Sequence, residues 1–277
     1  MSGKLIVVGT PIGNLSDFSP RAVEALTEAD FIAAEDTRVT VKLLNRFGIK
    51  KPMISYFEHN KYQRGEIICA RIEGGETCAL VSDAGMPAIS DPGEMLVAQC
   101  AERDIPVLVV PGPSAVVSAL AVSGLPTGRF TFEGFLSVNR KSRREHLESL
   151  CQERRTMVFY EAPHKLASTL ADMLAVWGDR RIAVVRELTK IHEEVLRTTL
   201  AEVAERYRDG GAKGEFVLVI AGAPEPEPEA LPERDAVALA RSYLAEGLSV
   251  SEAAKRAAAE TGRRKSEIYR EIARTEE

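Results

Sequence analysis

Through its first 110 positions the chain alternates short aliphatic runs with segments whose apolar residues recur every three or four positions. Leu5 to Val8 reads as a buried strand and runs into the turn Gly9-Thr10-Pro11-Ile12-Gly13-Asn14. Ser19-Pro20 then opens a helix to Ala29, with Ala22, Val23, Leu26 and Ala29 on one face. Phe31 to Ala34 predicts a strand ending in Glu35-Asp36-Thr37-Arg38, and a helix follows as far as Gly48. Further strands are expected at Ile54–Phe57, Cys78–Val81 and Val107–Val110, with helices over Gln63–Glu73 and Pro92–Arg103. This regular alternation implies a mostly parallel sheet covered by helices on both faces.

Pro111-Gly112-Pro113-Ser114 marks a crossing into a second region of different character. A small-sided helix over Ser114–Gly124 precedes Phe130-Thr131-Phe132-Glu133-Gly134-Phe135, which alternates like a half-buried strand. Met157–Glu161, Ile182–Arg186, Glu193–Arg197 and Phe216–Ala221 read as strands, the middle pair as antiparallel neighbours, with a helix over His164–Trp177. From Pro224 an acidic, proline-spaced segment reads as an extended linker. Helices are expected at Arg234–Glu246, Ser251–Glu260 and Lys265–Ala273, the last two joined by Thr261-Gly262-Arg263-Arg264 as in a helix-turn-helix. The expected organisation is an α/β domain over 1–113, a second over 114–223, a linker over 224–233 and an all-α tail over 234–277.

The stretch Leu80 to Gly93 is unusually long and small-sided for a connection leaving a strand, and such loops bind ligands in open α/β sheets. Composition adds limits. With 277 residues, 45% hydrophobic, and a net charge of -5, the chain reads as an ordinary soluble protein. No apolar run approaches the ~20 residues that span a bilayer, and the opening residues read as a strand, so the cytoplasm is expected. The four cysteines and four histidines show no metal-ligand spacing, and neither G-x-G-x-x-G nor a P-loop occurs. Any nucleic-acid contact must therefore be local. Residues 249–274 hold seven Lys/Arg against four Glu, +3 in a negative chain. That tail is either a phosphate-contacting element, through Arg263, Arg264 and Lys265, or a capping bundle with a solvated face. Arg140, Lys141, Arg143 and Arg144 form a second basic run with the same two readings.

Four segments carry a resemblance: Gly9-Thr-Pro-Ile-Gly-Asn-Leu, Ala34-Glu-Asp-Thr-Arg, Ser82-Asp-Ala-Gly-Met-Pro-Ala-Ile-Ser-Asp-Pro-Gly and Val110-Pro-Gly-Pro-Ser-Ala. Together they resemble the tetrapyrrole methylase superfamily, and more narrowly its ribosomal small-subunit RNA methyltransferase I branch. Phe159-Tyr-Glu-Ala-Pro-His-Lys, Arg186-Glu-Leu-Thr-Lys, Gly214-Glu-Phe-Val-Leu-Val-Ile and the terminal helices extend the likeness. It implies a homodimer of two-domain subunits that uses S-adenosyl-L-methionine to methylate the ribose 2′-hydroxyl of a cytidine in 16S ribosomal RNA of the small subunit. The cofactor is expected in a cleft between the domains. Residue by residue, the resemblance places Pro11, Ser82, Asp83, Ala84, Gly85, Met86, Ser114, Ala115, Tyr160, Glu161, Phe216 and Val217 along it.

The residues support such chemistry on their own terms. Methyl transfer from a sulfonium needs mainly in-line placement, and small residues let backbone approach a nucleoside closely. Asp83 could hold a ribose hydroxyl or an ammonium, or simply stabilise its turn. A ribose hydroxyl is a poor nucleophile and gains from a base or a neighbouring cation. The candidates are Glu35, Asp36 and Arg38 at a strand's carboxyl end and Glu161, Arg186, Glu187 and Lys190 from the second region, with Asp36, Arg38, Glu161 and Lys190 put first for catalysis. Asp36 or Thr37 could equally cap the following helix. Two rivals stay open: a tetrapyrrole-precursor methyltransferase, and a non-catalytic nucleic-acid-binding regulator.

Overall fold

The computed structural model describes residues 3–225 and 235–273. The chain divides between Ala223 and Pro224 into two compact units. The first holds two five-stranded sheets.

One sheet comprises β1 (Lys4–Val8), β2 (Phe31–Ala34), β3 (Met53–Ser55), β4 (Thr77–Val81) and β5 (Val107–Val110), ordered β3-β2-β4-β1-β5. Every pairing is parallel. Its helices are α1 (Pro20–Glu28), α2 (Thr37–Arg46), α3 (Lys61–Glu73) and α4 (Gly93–Glu102). Ile6 and Val8 pack with Ala22 and Leu26 of α1, whereas Leu5 and Val7 pack with Ile68 of α3 and Leu96 of α4. Burial on both faces explains why these strands read as unbroken apolar runs. Because α1 and α4 leave β1 and β4 toward opposite faces, a crevice opens at the carboxyl ends of these two neighbours, where open α/β sheets bind ligands.

The other sheet is mixed. It comprises β6 (Phe130–Phe135), β7 (Thr156–Glu161), β8 (Arg181–Arg186), β9 (Glu194–Thr199) and β10 (Phe216–Ile220), ordered β6-β7-β10-β8-β9. β6 and β7 are parallel, β10 is antiparallel to β7 and β8, and β8 and β9 pair antiparallel. One face buries Leu147 of α6 (Arg140–Ser149), Met173 of α7 (Leu166–Trp177) and Val203 of α8 (Leu200–Arg206). The opposite face packs Val158, Val185 and Val217 against Val116 and Leu120 of α5 (Ala115–Val122). Predicted strand positions agree within two residues, but α8 was not expected. It forms because Thr199 Oγ1 accepts from Glu202 N–H, a hydroxyl cap that a strand-like stretch concealed.

The second unit contains α9 (Ala236–Ala245), α10 (Val250–Thr261) and α11 (Lys265–Ala273) around Ala240, Tyr243, Ala253, Ala257, Ile268 and Ile272. The predicted linker beyond Glu225, Arg234 at the expected helix start, and Arg274 lie outside the described residues.

Candidate functional site

Backbone builds the first wall of the crevice. The loops after β1 and β5 touch at Gly9 and Gly112, where a Cβ on Gly9 would come within 2.6 Å of the Gly112 Cα. Only glycine fits at that crossing. The loop after β4 joins them: Thr10 N–H donates to Gly85 O at 2.9 Å and Gly85 N–H returns to Thr10 O at 3.2 Å. Gly112 N–H donates to Met86 Sδ at 3.2 Å. Farther along, Ala88 and Ser90 both hold φ of 65°, a strained state for non-glycine residues. Asp91 fixes them, its Oδ1 accepting from Ala88 N–H at 2.9 Å and Gly93 N–H at 2.7 Å. The expected helix start at Asp91-Pro92 thus falls one residue later, at Gly93, with Asp91 tying loop to helix.

Between the two sheets lies a cavity of about 430 Å³. Ser82, Asp83, Ala84, Gly85 and Met86 line it from β4, Ser114 and Ala115 from the start of α5, and Tyr160, Phe216 and Val217 from the second sheet. Ile12, not the expected Pro11, represents the first loop there. Ser114 caps α5 without a side-chain hydrogen bond to the helix. Four carboxylates reach the cavity, of which Glu215 is taken up by Lys190 Nζ at 3.1 Å and the other three are Glu35, Asp83 and Asp91. Burial raises Glu35, Asp83 and Asp91 above the usual carboxylate range, and each also feels like charge nearby. Asp83 Oδ1 accepts from Asp36 N–H at 3.0 Å and Asp91 is doubly engaged, so Glu35 is the least committed of the three.

Side chains build the second wall. A bulge interrupts the β6–β7 register between Phe132 and Gly134, and Gly134 holds φ of 65°. A Cβ there would lie 3.6 Å from Ser90 Oγ, so the end of β6 approaches the β4–α4 loop. Phe135 and Phe132 flank the Tyr160 ring, with centroids 5.4 and 4.9 Å away. Glu161 is a correction: it is buried outside the cavity, accepting from Thr169 Oγ1 at 2.6 Å and pairing with Lys165 Nζ at 2.9 Å. Both of its carboxylate oxygens are taken up by these partners. Arg143 is a second correction. Its buried guanidinium pairs with Asp172 at 2.7 Å and donates to the carbonyls of Ser137 and Val138, so it presents no charge to solvent.

The remaining candidates scatter. Asp36 caps α2, accepting from Arg38 N–H at 2.8 Å, and chelates the Arg38 guanidinium, which brings its carboxyl to about 2. Neither residue lines the cavity. Lys190 lies on the β8–β9 loop facing Gly13, bordering a separate open cavity of about 530 Å³. Its Nζ pairs with Glu187 at 2.8 Å and Glu215 at 3.1 Å, so its charge is already met. Arg186 pairs with Glu194. Arg140 and Lys141 are largely exposed and only loosely paired, Arg140 Nε with Asp172 at 3.5 Å and Lys141 Nζ with Glu145 at 3.8 Å, and Arg144 is half-buried. In the second unit Arg263 pairs with Glu271, Lys265 donates to Ser251 Oγ, and Arg264 is exposed. Sequence reasoning passed over Phe135, Ile89, Leu188 and Glu215 as cavity residues. For Phe135 a signal existed, since Gly134 breaks the two-residue alternation of β6.

A backbone-walled crevice facing a mixed second sheet defines a class. Residues 4–204 match the model of the Tetrapyrrole (Corrin/Porphyrin) Methylases, and the chain belongs to this family. The solved structure of uroporphyrin-III C-methyltransferase from Thermus thermophilus, complexed with S-adenosyl homocysteine, shares the fold, with a TM-score of 0.55 at 19% identity, covering 78% of this chain and 97% of that one. Within the class, the chain's similarity is to proteins named ribosomal RNA small subunit methyltransferase I. The Synechocystis sp. protein is 49% identical over 271 residues, 96% of each chain. That of Thermotoga maritima is 49% identical over 220 residues, 79% of this chain and 99% of its own, a span about as long as the first unit alone.

Proposed function

We propose that this chain transfers a methyl group from S-adenosylmethionine to the ribose 2′-hydroxyl of a cytidine in small-subunit ribosomal RNA, acting as a homodimer. One observation carries the reading: the cavity at the β1–β4 crevice, walled by backbone and carboxylates, in a chain so close to proteins named for small-subunit RNA methylation. The residues present fit the donor. At about 430 Å³ the cavity falls within the range of small-molecule sites. The start of α5, with uncapped Ser114, suits the donor's carboxylate, because helix N-termini favour anions. Asp83 suits its ammonium or ribose hydroxyls. When bound, the donor supplies an electrophilic methyl on a sulfonium sulfur.

The chain's own work is placement and proton removal. Gly85 brings backbone against the donor, with the Gly9–Gly112 contact fixing the loops behind it, and orientation of that kind is worth several kcal/mol. Glu35 is the group we assign to the acceptor proton: it reaches the cavity, burial makes it more basic than an ordinary glutamate, and its side chain has the loosest hydrogen bonds, only Asp83 N–H at 3.4 Å. Arg140 and Lys141 offer exposed cations to phosphates. The dimer reading is supported by exposed apolar residues on the edge of the first sheet, Leu108 and Val109 of β5, with Val117 of α5. Val109→Asp should shift the chain to monomer in sedimentation. Labelled donor incubated with small subunits should mark RNA at one ribose-methylated cytidine by mass mapping. Absence of donor heat in calorimetry together with no label in RNA would overturn the reading.

A further inference from the structure

The segment Phe135–Val138 combines two properties that seldom coincide. Two of its apolar side chains face water while Leu136 anchors the segment in the core: Phe135 is 57% exposed and Val138 75% exposed. Yet its backbone is held by two buried ion pairs. Lys165, paired with Glu161, donates to Leu136 O at 2.9 Å, and its Nζ lies 5.6 Å from the Phe135 ring centroid. Arg143, paired with Asp172, donates to Ser137 O at 3.2 Å and Val138 O at 3.4 Å. Two buried charge pairs are an expensive way to pin an ordinary loop. The β6 bulge re-aims Phe135 out of the strand's alternation and into the cavity lining, where Ile89 of the strained β4–α4 loop also lies. Bulges beside active sites commonly redirect one side chain in this way. Directly after Val138, Asn139 caps α6 and Arg140 and Lys141 begin it, both with largely solvent-exposed side chains.

We propose that Phe135, with Val138 beside it, is the surface on which the base of the acceptor nucleotide stacks, Arg140 and Lys141 meeting the adjoining phosphates. Lys165 and Arg143 are then positioning residues that hold the ring at a fixed height over the cavity. Single-stranded RNA is recognised in this manner, by bases stacked on aromatic faces beside cations that meet the backbone. The inference rests on the methyl-transfer reading above.

Phe135→Ala and Phe135→Leu should each lower kcat/KM for small ribosomal subunits roughly ten- to hundredfold, the range given by loss of one stacked base. The loss should fall on the KM for subunits, donor Kd in calorimetry should stay within twofold, and Phe135→Tyr should recover most of it. If Phe135→Ala does not fold, leucine against tyrosine decides, since both fill the site and only tyrosine offers a flat face. A Phe135→Leu enzyme with unchanged kcat/KM would overturn the stacking role. So would donor affinity falling in step with activity, which would make Phe135 part of the donor site. Failure of the wild-type chain to label subunits would instead overturn the methyl-transfer reading.

Discussion

The two walls of the cleft are made by different means. The wall from the first sheet is backbone: Gly9 against Gly112, Thr10 bonded to Gly85, and Ala88 and Ser90 held in strained conformations by one aspartate. The wall from the second sheet is side chain: an aromatic pair at Phe135 and Tyr160 over two buried ion pairs. A backbone wall recognises what every member of a ligand class shares, through N–H and C=O groups that substitution cannot easily change. A side-chain wall can discriminate, because each residue contributes its own shape. The contrast suggests donor on one side and acceptor on the other.

The sharpest break of that contrast removes Glu35, the group we assign to the acceptor proton, from the first wall. Glu35→Gln should lower kcat about 10²- to 10⁴-fold, the usual contribution of a general base. In the wild type the rate should fall as pH drops through the Glu35 value, which burial places above 4.5, and the variant should lack that limb. Stability should move the other way. A carboxyl whose folded pKa is raised binds its proton more tightly when folded, so its charge costs stability above that pKa and the cost is relieved as pH falls. Glu35→Gln should therefore melt no lower than wild type at neutral pH.

Next in size is the second wall's foundation. Arg143→Met leaves buried Asp172 with only the exposed Arg140 at 3.5 Å and should cost up to about 3–5 kcal/mol in urea unfolding, whereas Arg143→Met with Asp172→Leu should recover most of that. Equal losses for the single and double variants would remove the ion pair from the explanation. Gly112→Ala tests the first wall: its Cβ would meet Gly9 Cα at 2.8 Å. Overpacking of this kind costs about 1–3 kcal/mol, and donor affinity should fall with it while subunit affinity holds. Smallest is the tail. Arg264→Ala with Lys265→Ala should leave donor Kd unchanged and reduce the salt dependence of subunit binding by a slope of about 1 per residue. An unchanged slope would assign the tail a non-contacting role.

Much of this architecture was legible in order of sequence. Strands buried on both faces announce themselves as aliphatic runs, and Ser19-Pro20 carries its own cap, Ser19 Oγ accepting from Ala22 N–H at 3.1 Å. The β4–α4 loop was conspicuous because small residues, glycine and proline accumulate where a strand ends. What escaped depends on partners far away in the chain. Arg143 looked like one cation of a basic run, yet it lies four residues before Leu147 and shares that buried helical face. Its partner Asp172 sits between Leu170 and Met173, a carboxylate at an apolar position, and neither residue explains itself without the other. Glu161 ends a strand covered on both faces, so its carboxylate turns to Thr169 and Lys165 and away from the cavity. Asp36, left open between cap and catalyst, serves as a cap.

The Gly9–Gly112 crossing carries one further consequence. Two loops that meet with no side chains between them have almost no slack, so a side chain added at either position must displace the backbone behind the cavity. On the opposite bank, where side chains make the wall, exchanging Phe135 or its neighbours changes the shape of the cleft and leaves the glycine crossing untouched.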